Sequence, residues 1–378
     1  MRILVLNHEF PPVGGGGGRA AEDLCRGLAR FGHEIVILTA HLGGLPYEEK
    51  RDGYTIIRVP SIRTRPYKAS FLSMVAYILA GLWAGHRLFR SFKPEVIHAH
   101  FAVPAGALAW AFSRLSGIPY VLTIHLGDVP EGVAEKTRRW FRWIYPLTHR
   151  IWRDASRIVA VSEFTRQLAL QKYDAGIQVI PNGVDLSSVQ PGLFQLNKPP
   201  RIVFAGRFMA QKNPLQLVLT LSELKQLDWQ CVMIGDGPLM QDVRRRAAAS
   251  GLGERFQFTG WIDPQDVLQW FDNSDILFMP SRSEGLPVVG VQALAKGLAI
   301  VASRVGGFVD LVEHDKNGYL ISQENTDEFS TSLLSLLSDS NRLLSFRNAS
   351  LEMAKHFDIK RVVEQYQDLF HNVLVDGG

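Results

Sequence analysis

The sequence is poor in cysteine, has no apolar run long enough to cross a membrane, and carries no metal-nucleotide motif. Only Cys25 and Cys231 occur in 378 residues, so no disulfide framework is implied and a reducing compartment fits. The longest apolar run, Phe71 to Gly85, falls short of the ~20 residues that span a bilayer and reads as a buried or interfacial helix. The first residues, Met1-Arg-Ile-Leu-Val-Leu-Asn7, turn polar too early for a signal peptide. Asp-x-Asp and Walker motifs are absent, as is any nucleic-acid-binding motif. A leaving phosphate would therefore have to be neutralised by side-chain cations, with no metal and no cofactor expected.

What is present suits two globular domains. Hydrophobic residues make up 46% and charged ones 21%, and the length allows each domain its own core. Charge is divided unevenly. Residues 1–185 carry 23 basic against 15 acidic side chains, and residues 186–378 carry 18 against 22. A basic first half points to an acidic surface or acceptor, and membrane lipid suits it better than nucleic acid.

Apolar strands alternate with helical stretches from the start. Arg2 to Asn7 reads as a central parallel strand, followed by Pro11-Pro12-Val13, five glycines from Gly14 to Gly18, an amphipathic helix from Arg19 to Phe31, and a strand from Glu34 to Thr39. Gly15-x-Gly17-x-x-Ala20 matches a dinucleotide fingerprint, but Thr39-Ala40-His41 supplies no acidic residue for a ribose. Glycines ahead of a helix permit close approach of a ligand, and a surface loop is the plainer alternative. Further strands are expected at 54–59, 96–99, 120–124 and 157–161, the alternation of a doubly wound sheet. His98 and His100 share a face without a third metal ligand and read as satisfied cleft histidines. Lys136 to Tyr145 interleaves cations with aromatics; it suits a lipid headgroup boundary, or equally a surface helix with its rings in the core. Pro181-Asn182-Gly183 marks the junction between domains and 187–200 the linker.

The second half restarts the pattern with Arg201 to Arg207. Arg207 at a strand end and Lys212 five residues later suit a diphosphate, one as a fork and the other as a point charge. In Ser281 to Gly297 a buried strand runs into a polar loop, and Pro287 opens an apolar helix that Gly297 closes. Such a helix start attracts an anion at the carboxyl end of a sheet. Glu284 beside it would repel phosphate unless it faced something neutral with hydroxyls, a description that a sugar meets.

Five stretches in order, the glycine loop, Thr123-Ile-His125, Pro181-Asn-Gly-Val-Asp185, Gly206-Arg207-x4-Lys212 and Glu284-x7-Gln292, resemble the family 4 retaining glycosyltransferases of group 1 type. The resemblance covers nearly the whole chain and implies the α/β GT-B fold, two Rossmann-like doubly wound domains facing across a cleft. The expected domains are an acceptor-binding one at 1–185, a nucleotide-sugar-binding one at 186–358, and a helix at 359–378 packing back on the first. The resemblance implies catalytic roles for His125, Arg207, Lys212 and Glu284, with Asp128 in the acceptor pocket. It implies donor contacts from Gly15, Gly16, Gly237, Trp261, Ile262, Gly285, Leu286, Pro287 and Gln292; Trp261 read alone could simply cover a domain edge. The family's second glutamate is Gln292 here, a neutral acceptor for a ribose hydroxyl.

The expected activity is transfer of a sugar, from a UDP-sugar by family frequency, to a hydroxyl of a glycan or lipid-linked acceptor in polysaccharide or glycolipid synthesis. The expected location is cytoplasmic, peripheral on an anionic inner membrane face. Rivals are a sugar-nucleotide epimerase on the same fold and a non-catalytic nucleotide-sugar-binding subunit.

Overall fold

A computed structural model describes residues 1–66, 69–130, 132, 141–189, 191 and 194–376, with the backbone alone at 141–144 and 146–147. The chain divides into two compact units, Met1–Gly183 with Ile359–Gly378, and Val184–Asp358. The junction expected after residue 185 lies two residues from that division.

The first unit holds strands β1 (Arg2–Leu6), β2 (Glu34–Leu42), β3 (Glu48–Arg51), β4 (Tyr54–Arg63), β5 (Val96–His100), β6 (Tyr120–Ile124), β7 (Arg157–Ala160) and β8 (Ile177–Val179). They form one sheet in the order β3-β4-β2-β1-β5-β6-β7-β8, parallel except for the β3–β4 pair. Val, Ile and Leu fill β1 on both faces because helices cover both sides. Chain order reverses between β1 and β5, which is where an open α/β sheet places its ligand crevice.

Helix α1 (Gly16–Arg30) begins three residues earlier than its sequence suggests, so Gly16, Gly17 and Gly18 form its first turn. Glycine is a poor helix former, but space overrides propensity here. A Cβ on Gly18 would lie 2.2 Å from the Glu9 carbonyl oxygen, and one on Gly17 2.7 Å from the Phe101 ring. Helix α2 (Phe71–Ser91) is longer than the expected run and, contrary to that expectation, long and apolar enough to cross a membrane by length and composition, because the helix continues past Gly85 to Ser91. It presses Ser73, Tyr77, Gly81, Gly85 and Leu88 onto the unit, and α3 (Ala107–Ser116) packs beside it. Helix α4 (Phe141–Arg153) follows; residues 133–140, which include the first half of the cation-aromatic stretch, lie outside the described residues. Helix α5 (Glu163–Leu170) is capped by Ser162.

The second unit holds β9 (Arg201–Ala205), α6 (Pro214–Glu223), β10 (Gln230–Ile234), α7 (Met240–Ala249), β11 (Phe256–Gly260), α8 (Pro264–Asp272), β12 (Ile276–Met279), α9 (Val288–Ala295), β13 (Ala299–Ser303), α10 (Phe308–Leu311), β14 (Gly318–Ile321), α11 (Glu328–Ser338) and α12 (Ser340–Ala354). Its all-parallel sheet runs β11-β10-β9-β12-β13-β14, with the reversal of order between β9 and β12. A buried ion pair ties the base of this sheet: Arg347 Nη1 meets Asp275 Oδ1 at 2.6 Å and also donates to the Gln195 carbonyl, while Nε donates to that of Gly297.

The last helix, α13 (Ile359–Asp376), belongs to the first unit. Val363, Tyr366 and Phe370 enter the core beneath β1 and β2, and the Tyr366 hydroxyl shares a 2.9 Å hydrogen bond with Thr123 on β6.

Candidate active site

In the second unit the predicted donor residues gather at the carboxyl edge of the sheet. Arg207 stands two residues beyond β9, and the Ser281–Pro287 loop leaves β12, so the two flank the reversal point. A single turn, Ala210–Lys212, carries Lys212 across the gap. Its Nζ donates to Glu284 Oε1 at 2.6 Å, and both side chains are largely buried. The backbone zips the same elements together: Arg282 N donates to the Gln211 carbonyl at 2.7 Å and Gln211 Nε2 to the Ser283 carbonyl at 3.0 Å. Glu284 is thus a carboxylate with one oxygen committed to an ammonium.

The neighbouring turns pack without side chains. A Cβ on Gly235 would lie 2.1 Å from the Gly206 carbonyl oxygen, and one on Gly237 2.6 Å from that of Phe208. This close approach holds the Gly206-Arg207 corner against the loop after β10. Trp261 and Ile262 follow β11 at the same edge, with Trp261 53% exposed. Gly285, Leu286 and Pro287 lead into α9, whose first turn has no side-chain cap; Gln292 lies in its second turn, half-buried.

Residues outside the motifs hold this loop in place. Gly306, at φ +56°, would bring a Cβ within 1.7 Å of the Glu284 carbonyl oxygen, and Gly307 N donates to the Gly285 carbonyl at 2.5 Å. Gln323 Nε2 donates to the carbonyls of Ser281 and Arg282. The Gly-Gly pair directly after an apolar strand was the available signal; nothing local marked Gln211 or Gln323.

In the first unit, Gly15, Gly16, His125 and Asp128 collect at the carboxyl edge. Gly15 caps α1 and Gly16 opens it. A Cβ on Gly17 would lie 3.3 Å from the His125 ring, and Phe101 stacks on that ring at 4.3 Å between centroids. Phe101 reaches this position with φ +73°, a strained value for a bulky residue. His125 is buried, and no described group bonds its Nε2. Burial lowers its pKa to about 4, so the imidazole is neutral.

Asp128 is more of a staple than its sequence suggests. Oδ1 accepts from Ala102 N and Oδ2 from His125 N, each at 2.8 Å, which fixes the loop after β6 against the loop after β5. Burial raises its pKa to about 7, opposed by those backbone donors. The reading of His98 and His100 as satisfied histidines holds only for one nitrogen of His98, whose Nδ1 has no partner among the described residues. His98 Nε2 bonds Thr123 Oγ1 at 2.8 Å, whereas neither ring nitrogen of His100 has a partner among the described residues. Among the described residues no group of three His, Cys, Asp or Glu side chains is placed to hold a metal ion.

Comparison with known sequences decides the family. Residues 14–188 match the model of "Glycosyltransferase Family 4" and residues 191–353 that of "Glycosyl transferases group 1". The chain belongs to the family 4, group 1 glycosyltransferases. This glycosyltransferase is 25% identical to the Escherichia coli UDP-Gal:alpha-D-GlcNAc-diphosphoundecaprenol alpha-1,3-galactosyltransferase, over 77% of this chain and 79% of the relative. It is 26% identical to the Mycolicibacterium smegmatis GDP-mannose-dependent alpha-(1-6)-phosphatidylinositol monomannoside mannosyltransferase, over 90% of each. Its fold is GT-B, shared with the solved Anabaena Alr3699/HepE in complex with UDP at a TM-score of 0.78 and 17% identity, over 98% of this chain and 100% of that one. As a glycosyltransferase of group 1 it transfers a sugar from a nucleotide-sugar in glycan or glycolipid synthesis.

Proposed function

We propose that the protein is a retaining, metal-independent transferase that uses a UDP-sugar and acts on a hydroxyl of a lipid-linked or glycan acceptor at the cytoplasmic face of a membrane. The observation that carries this reading is the arrangement at the β9/β12 reversal, where Arg207, Lys212 and the start of α9 converge on one edge and Glu284 stands among them. Cations and helix N–H groups there stabilise a departing diphosphate as its charge grows in the transition state. Lys212 is shared between that diphosphate and Glu284, whose other oxygen accepts a sugar hydroxyl. In the first unit His125, neutral and with an Nε2 that no described group bonds, is the side chain suited to hold a sugar hydroxyl.

Retention is carried over from the resemblance to the retaining family 4 enzymes, and the carboxylates at the site bear on its route. Glu284 is tied to Lys212 and Asp128 to two backbone amides, so neither is free as a covalent nucleophile. Attack then occurs from the front face, the acceptor oxygen bonding to the anomeric carbon as the diphosphate leaves and one of its oxygens takes the acceptor proton.

A uridine donor is supported by the UDP-Gal of the E. coli relative and the UDP of the Anabaena structure, against the GDP-mannose of the mycobacterial relative. Lipid-linked acceptors are named for both relatives. The test is thermal stabilisation by a panel of nucleotide sugars, followed by product analysis with the donor that stabilises most. UDP-sugars should raise the melting temperature above GDP- and ADP-sugars, and transfer should keep the anomeric configuration. An inverted product, an epimerised donor or binding without transfer would each overturn the reading.

A further inference from the structure

The outward face of α2 carries the wrong chemistry for a helix in water. A surface helix ordinarily shows charged side chains on the face opposite the core. Here the buried stripe runs Ser73, Tyr77, Gly81, Gly85 and Leu88. The opposite stripe runs Leu72, Leu79 and Trp83 before it turns to His86 and Arg90. Trp83 is 84% exposed and Leu79 64%. Neither α2 nor α3 contains an acidic side chain. Arg87 and Arg90 are exposed and in no ion pair among the described residues. Parallel to α2, α3 adds exposed Arg114 and Leu115, the latter 80% exposed.

Length and composition alone would allow α2 to cross a membrane, but its packing fixes it flat. Tyr77 donates its hydroxyl to the Leu38 carbonyl at 3.0 Å. A Cβ on Gly81 or Gly85 would come within 2.5 Å of Leu108 or Phe112, so one whole side is joined to the domain and only the other is free.

We propose that this free side docks on an anionic lipid bilayer, with Trp83, Leu79 and Leu72 dipping into the headgroup boundary and Arg87, Arg90 and Arg114 contacting lipid phosphates. Apolar side chains in line with a tryptophan, bordered by exposed cations, fit a headgroup boundary. The net positive charge of the first half of the chain complements anionic lipid. A second copy of the chain fits less well. A stable dimer buries roughly 800 Å² and 20–30 residues on each side, far more than one helix line supplies. The inference rests on the membrane-facing reading above and assigns the surface that performs it.

The test is flotation of the full chain with phosphatidylcholine vesicles containing about a third phosphatidylglycerol, and with phosphatidylcholine alone, at low salt. The wild type should float with the anionic vesicles only. Leu79→Ser with Trp83→Ser should weaken binding about tenfold or more, and each of Arg87→Ser and Arg90→Ser about fivefold, while stabilisation by UDP stays unchanged. Trp83→Leu should keep binding but lose quenching by bromine-labelled lipid chains, a readout independent of the serine variants' folding. Flotation that the serine variants leave intact would overturn this surface and leave the membrane reading standing. Failure of the wild type to float would overturn both. A dimer in light scattering that Trp83→Ser dissolves would replace the bilayer with a second copy of the chain.

Discussion

At the carboxyl edge of the first sheet three histidines, His98, His100 and His125, are held neutral by burial, whereas at that of the second a lysine and a glutamate face each other at 2.6 Å. The second unit also carries a buried ion pair at the base of its sheet, Arg347 with Asp275. The contrast matches what each edge is proposed to hold. A diphosphate requires positive charge already in place, and charge survives burial only when paired. A sugar ring asks for neutral hydrogen-bonding groups in a shaped apolar wall, as His125 against Phe101 provides.

The comparison breaks most sharply at Arg347. If the second unit depends on paired charge for its stability, Arg347→Ala leaves Asp275 buried and uncompensated and should cost about 3–5 kcal/mol in urea unfolding. A loss below about 1 kcal/mol would show that Asn197, which donates to Asp275 Oδ2 at 2.9 Å, suffices. Next in size is Arg207→Ala, which should leave folding intact and lower turnover about a hundredfold or more. Near-normal rates with the correct donor would remove its phosphate role.

The neutral edge is sharpened by pH. His98 and His125, with pKa values pushed by burial to about 3 and about 4, and His100, lowered well below its ordinary value, bind fewer protons folded than unfolded. Stability therefore falls as pH drops below about 6.5, by up to about 2 kcal/mol per histidine at about pH 5. Asp128 has the opposite sign: its folded pKa of about 7 exceeds the unfolded value, so it loses stability as pH rises from about 4 to 7. With three histidines against one carboxyl, the urea midpoint should fall between pH 7 and 5, and a midpoint that rose instead would mean the histidines titrate normally. The smallest effect is expected for Gln292→Glu. A charged acceptor for the ribose should keep or tighten donor binding by about 1 kcal/mol in calorimetry, and a large loss would mean that Gln292 does not face the nucleotide.

Legibility in the sequence followed locality. Gly206-Arg207-x4-Lys212 was readable because strand, corner and turn follow one another within a dozen residues. That Lys212 ends on Glu284, 72 residues away, was not, because the sheet order places β9 beside β12 and no local pattern records it. The glycines before α1 were visible as close-approach residues but misjudged as loop, since propensity speaks against helix and only contact with Glu9 and Phe101 favours it. What Gly306 and Gly307 pack against has no local sign because their partner, the Glu284 loop, is brought to them by β13 pairing with β12.

Alternating apolar runs, two β/α halves and five motifs in order were enough to determine the fold class and the family and to nominate the side chains proposed to face a nucleotide-sugar, because hydrophobic period and motif spacing are properties of the chain itself. Which of those side chains touch, which carboxylates are already occupied and which side of α2 remains free were decided only by tertiary packing. Burial and pairing depend on groups far apart in sequence, and a pKa, an ion pair or an exposed tryptophan exists only once the sheets have set their strand order.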